Sequence, residues 1–299
     1  MFKSVLVGVD GSDNARDAIA LARRLVDPNG TLTLVNVYSG QLRPTHAVSP
    51  GVVSEEREAA DRLLVQERDA AGLSAELVSA VALSPGRGLH EQVEDQRADL
   101  LVVGSCRHSA FGRAMLGDDT RSALNGARCA VAIAARGYAE HPAALARIGI
   151  GYNGSPESKA ALATARELAA STGATLKALE VVVIPTYAFV GVVPPLAGEG
   201  VDMLLQEATA GLSELTGVEG RAVYGLTGEE LASFGDEVDL LVVGSRSYGP
   251  VLRMVLGSTS DYLERHARCS LLVLPRGEEH LAEEADARAD AGASSTERV

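Results

Sequence analysis

Tryptophan is absent from this chain of 299 residues, and all aromatic residues together make up only 4%. Any core must therefore be aliphatic, and a hydrophobic content of 46% leaves enough for two domains of ordinary size. Lysine is almost missing. Lys3, Lys159 and Lys177 are the full set, and none follows a glycine, which excludes a Walker A phosphate loop. The Gly-x-Gly-x-x-Gly fingerprint is also missing after the first apolar segment, which argues against NAD or FAD. Cysteine is confined to Cys106, Cys129 and Cys269, an odd count that fits a reducing compartment and no disulfide framework. The histidines at 46, 90, 108, 141, 266 and 280 have no paired metal-ligand spacing. Positive charge is scarce, with 27 Lys and Arg against 40 Asp and Glu, a net charge of −13. That balance argues against nucleic acids and anionic membrane surfaces, both of which require basic patches. No run of ~18 purely apolar residues suggests a membrane-spanning helix. The opening segment MFKSVLVGVDGS has too short an apolar run for a signal peptide and no cleavage-like site. It reads as a first strand, and the protein as cytoplasmic.

What is present is a repeat. The heptamer Asp99 to Ser105 (DLLVVGS) recurs unchanged at Asp239 to Ser245, 239 − 99 = 140 positions later. Such self-similarity indicates two copies of one domain. In copy 1 the pattern predicts strands over 4–10, 31–38, 75–82, 100–104 and 130–134, with helices over 12–26, 54–71, 88–97 and 119–127. Copy 2 follows the same order, with strands over 147–153, 174–183, 218–224, 240–244 and 271–274 and helices over 155–172, 202–215, 227–237 and 258–267. Near-continuous Val, Leu and Ile strands alternating with helices predict an α/β fold of doubly wound parallel sheets. The domains are expected at 1–138 and 146–277, with a linker over 139–145. An acidic tail, 278–299, is expected to be disordered, being Ala-, Glu- and Asp-rich with no aromatic residue.

In open parallel sheets ligands bind at the carboxyl ends of the strands. Strand one of each copy leads into Asp10-Gly-Ser or Asn153-Gly-Ser, and strand four into Gly104-Ser105 or Gly244-Ser245. The last helix starts at Gly117-Asp118-Asp119-Thr120 or Gly257-Ser258-Thr259-Ser260. Helix starts offer unpaired N–H groups to a phosphate, and Ser and Thr hydroxyls add donors. The same Gly-Ser pattern also serves as an ordinary turn and helix cap.

Taken together, Val5-Leu-Val-Gly-Val-Asp-Gly-Ser12, both DLLVVGS strands, Gly244 to Ser258 and the last strands ending in Arg-Gly resemble the universal stress proteins. The resemblance runs from Phe2 to Gly277. It implies two five-stranded, adenine nucleotide alpha hydrolase-like sheets paired antiparallel through their last strands, which leaves a further homodimer open. It also implies ATP or AMP as ligand, with Mg²⁺ accompanying ATP. The nucleotide-binding branch carries Gly-x2-Gly-x9-Gly-Ser/Thr after strand four, and both copies depart from it. Copy 2 keeps Gly244, Gly257 and Ser258 but has Ser247 at the second glycine. Copy 1 keeps Gly104 and Gly117 but has Arg107 there and Asp118 for the closing Ser. A non-glycine residue held at positive φ costs about 1–2 kcal/mol. A carboxylate ~4 Å from a phosphate repels it by about 1 kcal/mol in water and about 4 at an effective dielectric of 20.

Copy 2 is therefore expected to be the better site, with Gly244, Ser245, Arg246, Ser247, Gly257, Ser258 and Thr259 around the phosphates. The resemblance places adenine and ribose at Asn153 and Val181, or at Asp10 and Val37 in copy 1. Catalysis is not expected. Cys106 and His108 lie close in sequence, but copy 2 has Arg246 and Tyr248 there and no third partner is evident. A member that works only as an interaction module is the alternative, and a slow nucleotide hydrolase ranks below it. Cys129 and Cys269 read as small buried residues. The segment from Pro185 to Pro195, with Tyr187 and Phe189, reads either as a docking surface or as a cover over the sheet.

Overall fold

The computed structural model describes residues 1–39, 50–105, 123–183, 199–245 and 258–275. Copy 1 contributes β1 (Phe2–Gly8), α1 (Asp13–Leu25), β2 (Val26–Tyr38), α2 (Pro50–Ala70), β3 (Glu76–Val81), α3 (Pro85–Gln96), β4 (Leu100–Gly104) and β5 (Ala130–Ala134). Copy 2 contributes β6 (Arg147–Gly151), α4 (Pro156–Thr172), β7 (Thr175–Val182), α5 (Glu199–Ser213), β8 (Val218–Tyr224), α6 (Thr227–Phe234), β9 (Leu240–Gly244), α7 (Ser258–His266) and β10 (Ser270–Leu274). Within the predicted helix 119–127, Ala123 and Leu124 are helical and fully buried, while 119–122 lie outside the described residues.

The helix starts follow local chemistry. Ser12 Oγ accepts from the Ala15 N–H at 3.2 Å, Ser155 Oγ from Ser158 at 3.3 Å and Ser84 Oγ from Arg87 at 3.4 Å. The Ser84 cap starts α3 at Pro85 rather than at Gly88, because proline suits the first helical turn. β2 begins at Val26 directly after α1. Val26 pairs with Phe2 and Thr31 with Ser4, so the Pro28-Asn29-Gly30 stop sits inside an irregularity of the strand, not ahead of it.

All strands join one ten-stranded sheet in the order β3-β2-β1-β4-β5-β10-β9-β6-β7-β8. Every neighbouring pair is parallel except β5–β10 at the centre. There Leu271 faces Ile133, Leu272 faces Ala132 and Val273 faces Val131. The Ala135 N–H also donates to Ser270 Oγ at 3.1 Å across this junction. β5 and β10 are buried at every position, as strands covered on both faces and on both edges should be. Two aliphatic layers fill the spaces above and below the sheet, and each draws residues from both copies.

The repeated heptamer has a structural reason. Its first residue ties the start of strand four to the start of strand one in both copies. Asp99 accepts from the N–H groups of Lys3 and Ser4 at 2.8 and 3.0 Å. Asp239 accepts from Ala146 and Arg147 at 3.0 and 2.8 Å, and from the Arg147 guanidinium at 2.8 Å. The four apolar residues that follow are buried in each copy.

The connection between the copies is packed against the fold. Asp17 on α1, only 3% exposed, accepts from the Gly137 N–H at 2.8 Å and the Ala139 N–H at 2.7 Å. Tyr138 and Leu145 are buried, and the Tyr138 hydroxyl donates to the Ala143 carbonyl at 3.0 Å. Cys129 is buried and Cys269 nearly so. Both are free, and burial pushes each thiol up to about 12. Among the described residues no helix is long and apolar enough to cross a membrane.

Candidate functional site: two clefts at the carboxyl ends of the strands

Each copy opens a cleft of about 300 Å³ at the carboxyl ends of its strands. In copy 1 it is lined by Gly8 to Asp10, Ser12, Asn14, Ala15, Val35 to Val37, Pro85, Leu89, Val103 and Gly104. In copy 2 the lining includes Gly151 to Asn153, Ser155, Glu157, Ser158, Leu179, Val181, Thr227, Leu231, Val243 and Gly244, with Ser258, Thr259 and Ser260. The sequence-predicted Asp10, Val37 and Gly104 thus meet in one cleft, and Asn153, Val181, Gly244, Ser258 and Thr259 in the other. Ser245 does not line it. Strand alternation turns Ser245 away from Gly244, and its side chain is buried with an Oγ that has no hydrogen-bond partner among the described residues, as is true of Ser105 Oγ in copy 1. Arg107, Gly117, Arg246, Ser247 and Gly257 lie outside the described residues, as do Asp118, Cys106, His108, the 185–195 segment and the tail.

Glycine at the end of strand four is required by close approach. A Cβ on Gly104 would overlap the Asn14 carbonyl, and one on Gly244 would lie 2.7 Å from the Glu157 carbonyl oxygen. The first turn of the helix that follows strand one therefore sits directly against the end of strand four. This contact brings the helix start of α1 or α4 into the cleft wall.

The residue ending strand one is already engaged. Asp10 Oδ1 accepts from the Ser12 N–H at 2.9 Å and from its hydroxyl at 2.6 Å. Asn153 Oδ1 accepts from the Ser155 N–H at 3.2 Å. Both side chains shape the strand-to-helix turn before meeting any ligand. Asn153 keeps its NH₂ group for a ligand and can only donate from it. Asn36 Nδ2 donates to the Val9 carbonyl at 2.7 Å, fixing the copy 1 wall. Its counterpart in copy 2 is Glu180, whose carboxyl is held above the usual range by burial and by the charge of Glu207.

Sequence reasoning missed Glu157, the counterpart of Asn14. It brings an acidic residue to the lining of the copy 2 cleft, as Asp10 does in copy 1. Formal charge is thus exchanged between the copies at two positions four residues apart, Asp10/Asn14 against Asn153/Glu157. The signal was available, since the first turn after strand one had been placed beside the ligand edge. Thr227, Ser155 and Ser158 also line the copy 2 cleft and were not among the expected ligand contacts. Ser260, 5% exposed, completes the run of hydroxyls at the start of α7.

The family model described as the Universal stress protein family matches twice, at residues 1–135 and 145–275. A universal stress protein of Mycolicibacterium smegmatis is 28% identical over 297 residues, covering 90% of this chain and 96% of that protein. One from Mycobacterium tuberculosis is 28% identical over 289 residues, with the same coverage of 90% and 96%. Among solved structures, a universal stress protein from Archaeoglobus fulgidus shares the fold with a TM-score of 0.61 at 20% identity, covering 92% of this chain and 98% of that one. Two matches to the family model, one on each half of the ten-stranded sheet, establish that the chain belongs to the universal stress protein family and carries its domain twice.

Proposed function

We propose that the chain binds an adenine nucleotide in the copy 2 cleft and acts as a cytoplasmic stress-response sensor or regulator, by binding rather than by turnover. The observation that carries this reading is the start of α7. Ser258, Thr259 and Ser260 stand in the wall of a cleft that has Gly244 at its base. The first-turn N–H groups and three hydroxyls supply donors to phosphate oxygens, and the helix dipole favours negative charge there. Val181, Leu179 and Leu231 give an apolar surface for a base, and the Asn153 NH₂ can donate to a ribose hydroxyl. The described lining contains no His, Lys or Cys to serve as a base or nucleophile.

Mg²⁺ fits this site. Glu157 supplies a hard carboxylate oxygen, and Mg²⁺ is commonly held by one or two carboxylates together with substrate phosphates. The ion would offset the repulsion between that carboxylate and the phosphates.

The test is calorimetric titration with ATP, with and without Mg²⁺. Ser258→Asp copies the residue of copy 1 at position 118. At ~4 Å its charge repels a phosphate by about 1–4 kcal/mol over the dielectric range from water to a protein surface, so affinity should fall about ten-fold or more. Unchanged affinity rejects copy 2 as the site. A second reading, an interaction module that binds no nucleotide, is favoured by Arg107, Ser247 and Asp118. Protein that co-purifies without nucleotide and gives no heat with ATP or AMP would support it.

A further inference from the structure

Copy 1 has a groove of about 470 Å³, larger than either cleft and separate from both. It runs over α1 from the end of α2 to the inter-copy linker. Its floor is apolar, made by Ile19, Ala20, Ala71 and Leu73, and Ala139 and Pro142 of the linker close one side. Arg16, Arg23 and Arg24 stand around it.

The three arginines are not equivalent. Arg16 is engaged with Glu67, whose side chain is 5% exposed, through Nε and Nη2 at 3.1 Å each. A buried carboxylate needs such a partner, so the guanidinium of Arg16 is committed to the wall. Arg23 and Arg24 are exposed, and among the described residues neither has an ion pair. Arginines in a last helical turn complement the helix dipole, which accounts for their sign. It does not account for the apolar floor beside them or for the cavity. Copy 2 does not repeat the arrangement. At the matching positions it has Arg166 and Glu167, and Arg166 Nη2 donates to the Thr216 carbonyl at 3.1 Å. The wall is also pre-set, because Asp17 fixes Gly137 and Ala139 to α1.

We propose that this groove binds a small amphipathic oxyanion, an aliphatic body with a phosphate or carboxylate head. The floor takes the apolar body and Arg23 and Arg24 take the head, in a chain whose net charge of −13 otherwise repels anions. The volume lies within the ordinary range for small-ligand sites, about 300–1,000 Å³. Guanidinium groups pair with carboxylate and phosphate alike, so the geometry selects the head by charge and fork-like hydrogen bonding.

The probes are decyl phosphate, decanoate and uncharged decanol, titrated calorimetrically into the full chain below their aggregation limits. One-to-one saturable binding of decyl phosphate is expected, with decanol at least about ten-fold weaker. Decanoate binding as tightly as the phosphate would identify the head as any oxyanion, and much weaker decanoate binding would identify it as phosphate. Both results support the site. Arg23→Ala combined with Arg24→Ala should lower affinity at least about ten-fold, while Arg166→Ala leaves it unchanged. Arg24→Glu, which imports the residue of copy 2, should act in the same direction should the double variant fold poorly. Decanol binding as tightly as decyl phosphate, full affinity in the arginine variants, or displacement of the probe by saturating ATP would each overturn the proposal. Loss of ATP binding in Ser258→Asp leaves this test untouched, so the two readings fail separately.

Discussion

Asp17→Ala removes a side chain that hydrogen-bonds the inter-copy linker to α1. The carboxylate is 3% exposed and receives two backbone N–H groups, from Gly137 at 2.8 Å and Ala139 at 2.7 Å. A hydrogen bond to a charged group contributes about 1.5–3 kcal/mol, so two contribute about 3–6 kcal/mol before offsets. Both offsets act in the same direction. Residues 137 and 139 are half-buried, so water reaches their N–H groups in the variant. Deleting the side chain also removes the cost of burying a charge. A net loss of about 2–4 kcal/mol is expected, and at a urea m-value of about 3 kcal/mol/M this lowers the midpoint by about 1 M. Asp17→Asn keeps one acceptor oxygen and should fall between the two. Ala160, which occupies the matching position on α4, is exposed, so Ala160→Asp should leave the midpoint within about 0.2 M. Amide exchange at Gly137 and Ala139 should accelerate in Asp17→Ala ahead of the rest of the sheet. An Asp17→Ala chain that unfolds at the wild-type midpoint, or an Asn variant weaker than Ala, would refute the assignment of Asp17 as an acceptor that holds the linker.

Three further outcomes follow from the geometry. Burial pushes the Asp239 carboxyl up, but the side chain and backbone N–H of Arg147 and the Ala146 N–H outweigh it and hold the group below the usual range. Its stabilisation is therefore present above the unfolded value of about 3.9 and lost as pH falls through the lower folded value, and Asp239→Asn should flatten that acid limb of a denaturation-against-pH series. Glu180 runs the other way. Burial and then Glu207 raise its carboxyl, so stability declines as pH rises through the raised value, and Glu180→Gln should raise the midpoint at pH 7 but not near pH 3. Glu157→Gln should strengthen ATP binding measured without Mg²⁺ and reduce the gain from adding it, and a Mg²⁺ response equal to wild type would remove Glu157 from the nucleotide site.

Much of the fold is legible in local pattern. Strands buried on both faces read as unbroken Val and Leu runs, so β4, β5, β9 and β10 stand within a residue of their expected bounds. Ser12 and Ser155 announce the helices they cap. What a local pattern cannot carry is a partner distant in sequence. Asp17 and Gly137 are separated by 120 positions, and on a helical wheel Asp17 is one more surface acid. The duplicated chain offers a second signal at such positions. Where the copies share a residue, as at Asp99 and Asp239, the scaffold needs it. Where they differ, as at Asp17 and Ala160 or at Asn14 and Glu157, each copy has made a separate arrangement. The candidate site was legible to the extent that backbone geometry sets it, through Gly104, Gly244 and the start of α7. Ser245 stands outside the described lining, because sequence adjacency to Gly244 says nothing of which face the next side chain takes.

The antiparallel pairing of β5 with β10 reverses the direction of the sheet at its midpoint. The carboxyl ends of β4 and β9 therefore open on opposite rims, and the two clefts look away from each other. Occupants of the two clefts would therefore not touch each other. Between them lie the four central strands, which are buried throughout their apolar lengths and resist deformation. Duplication within one chain has thus produced two separately addressable surfaces on one rigid plate. One copy is free to lose or change its ligand while the other keeps it, provided both retain the aspartate, the aliphatic strand and the glycine that hold the plate together.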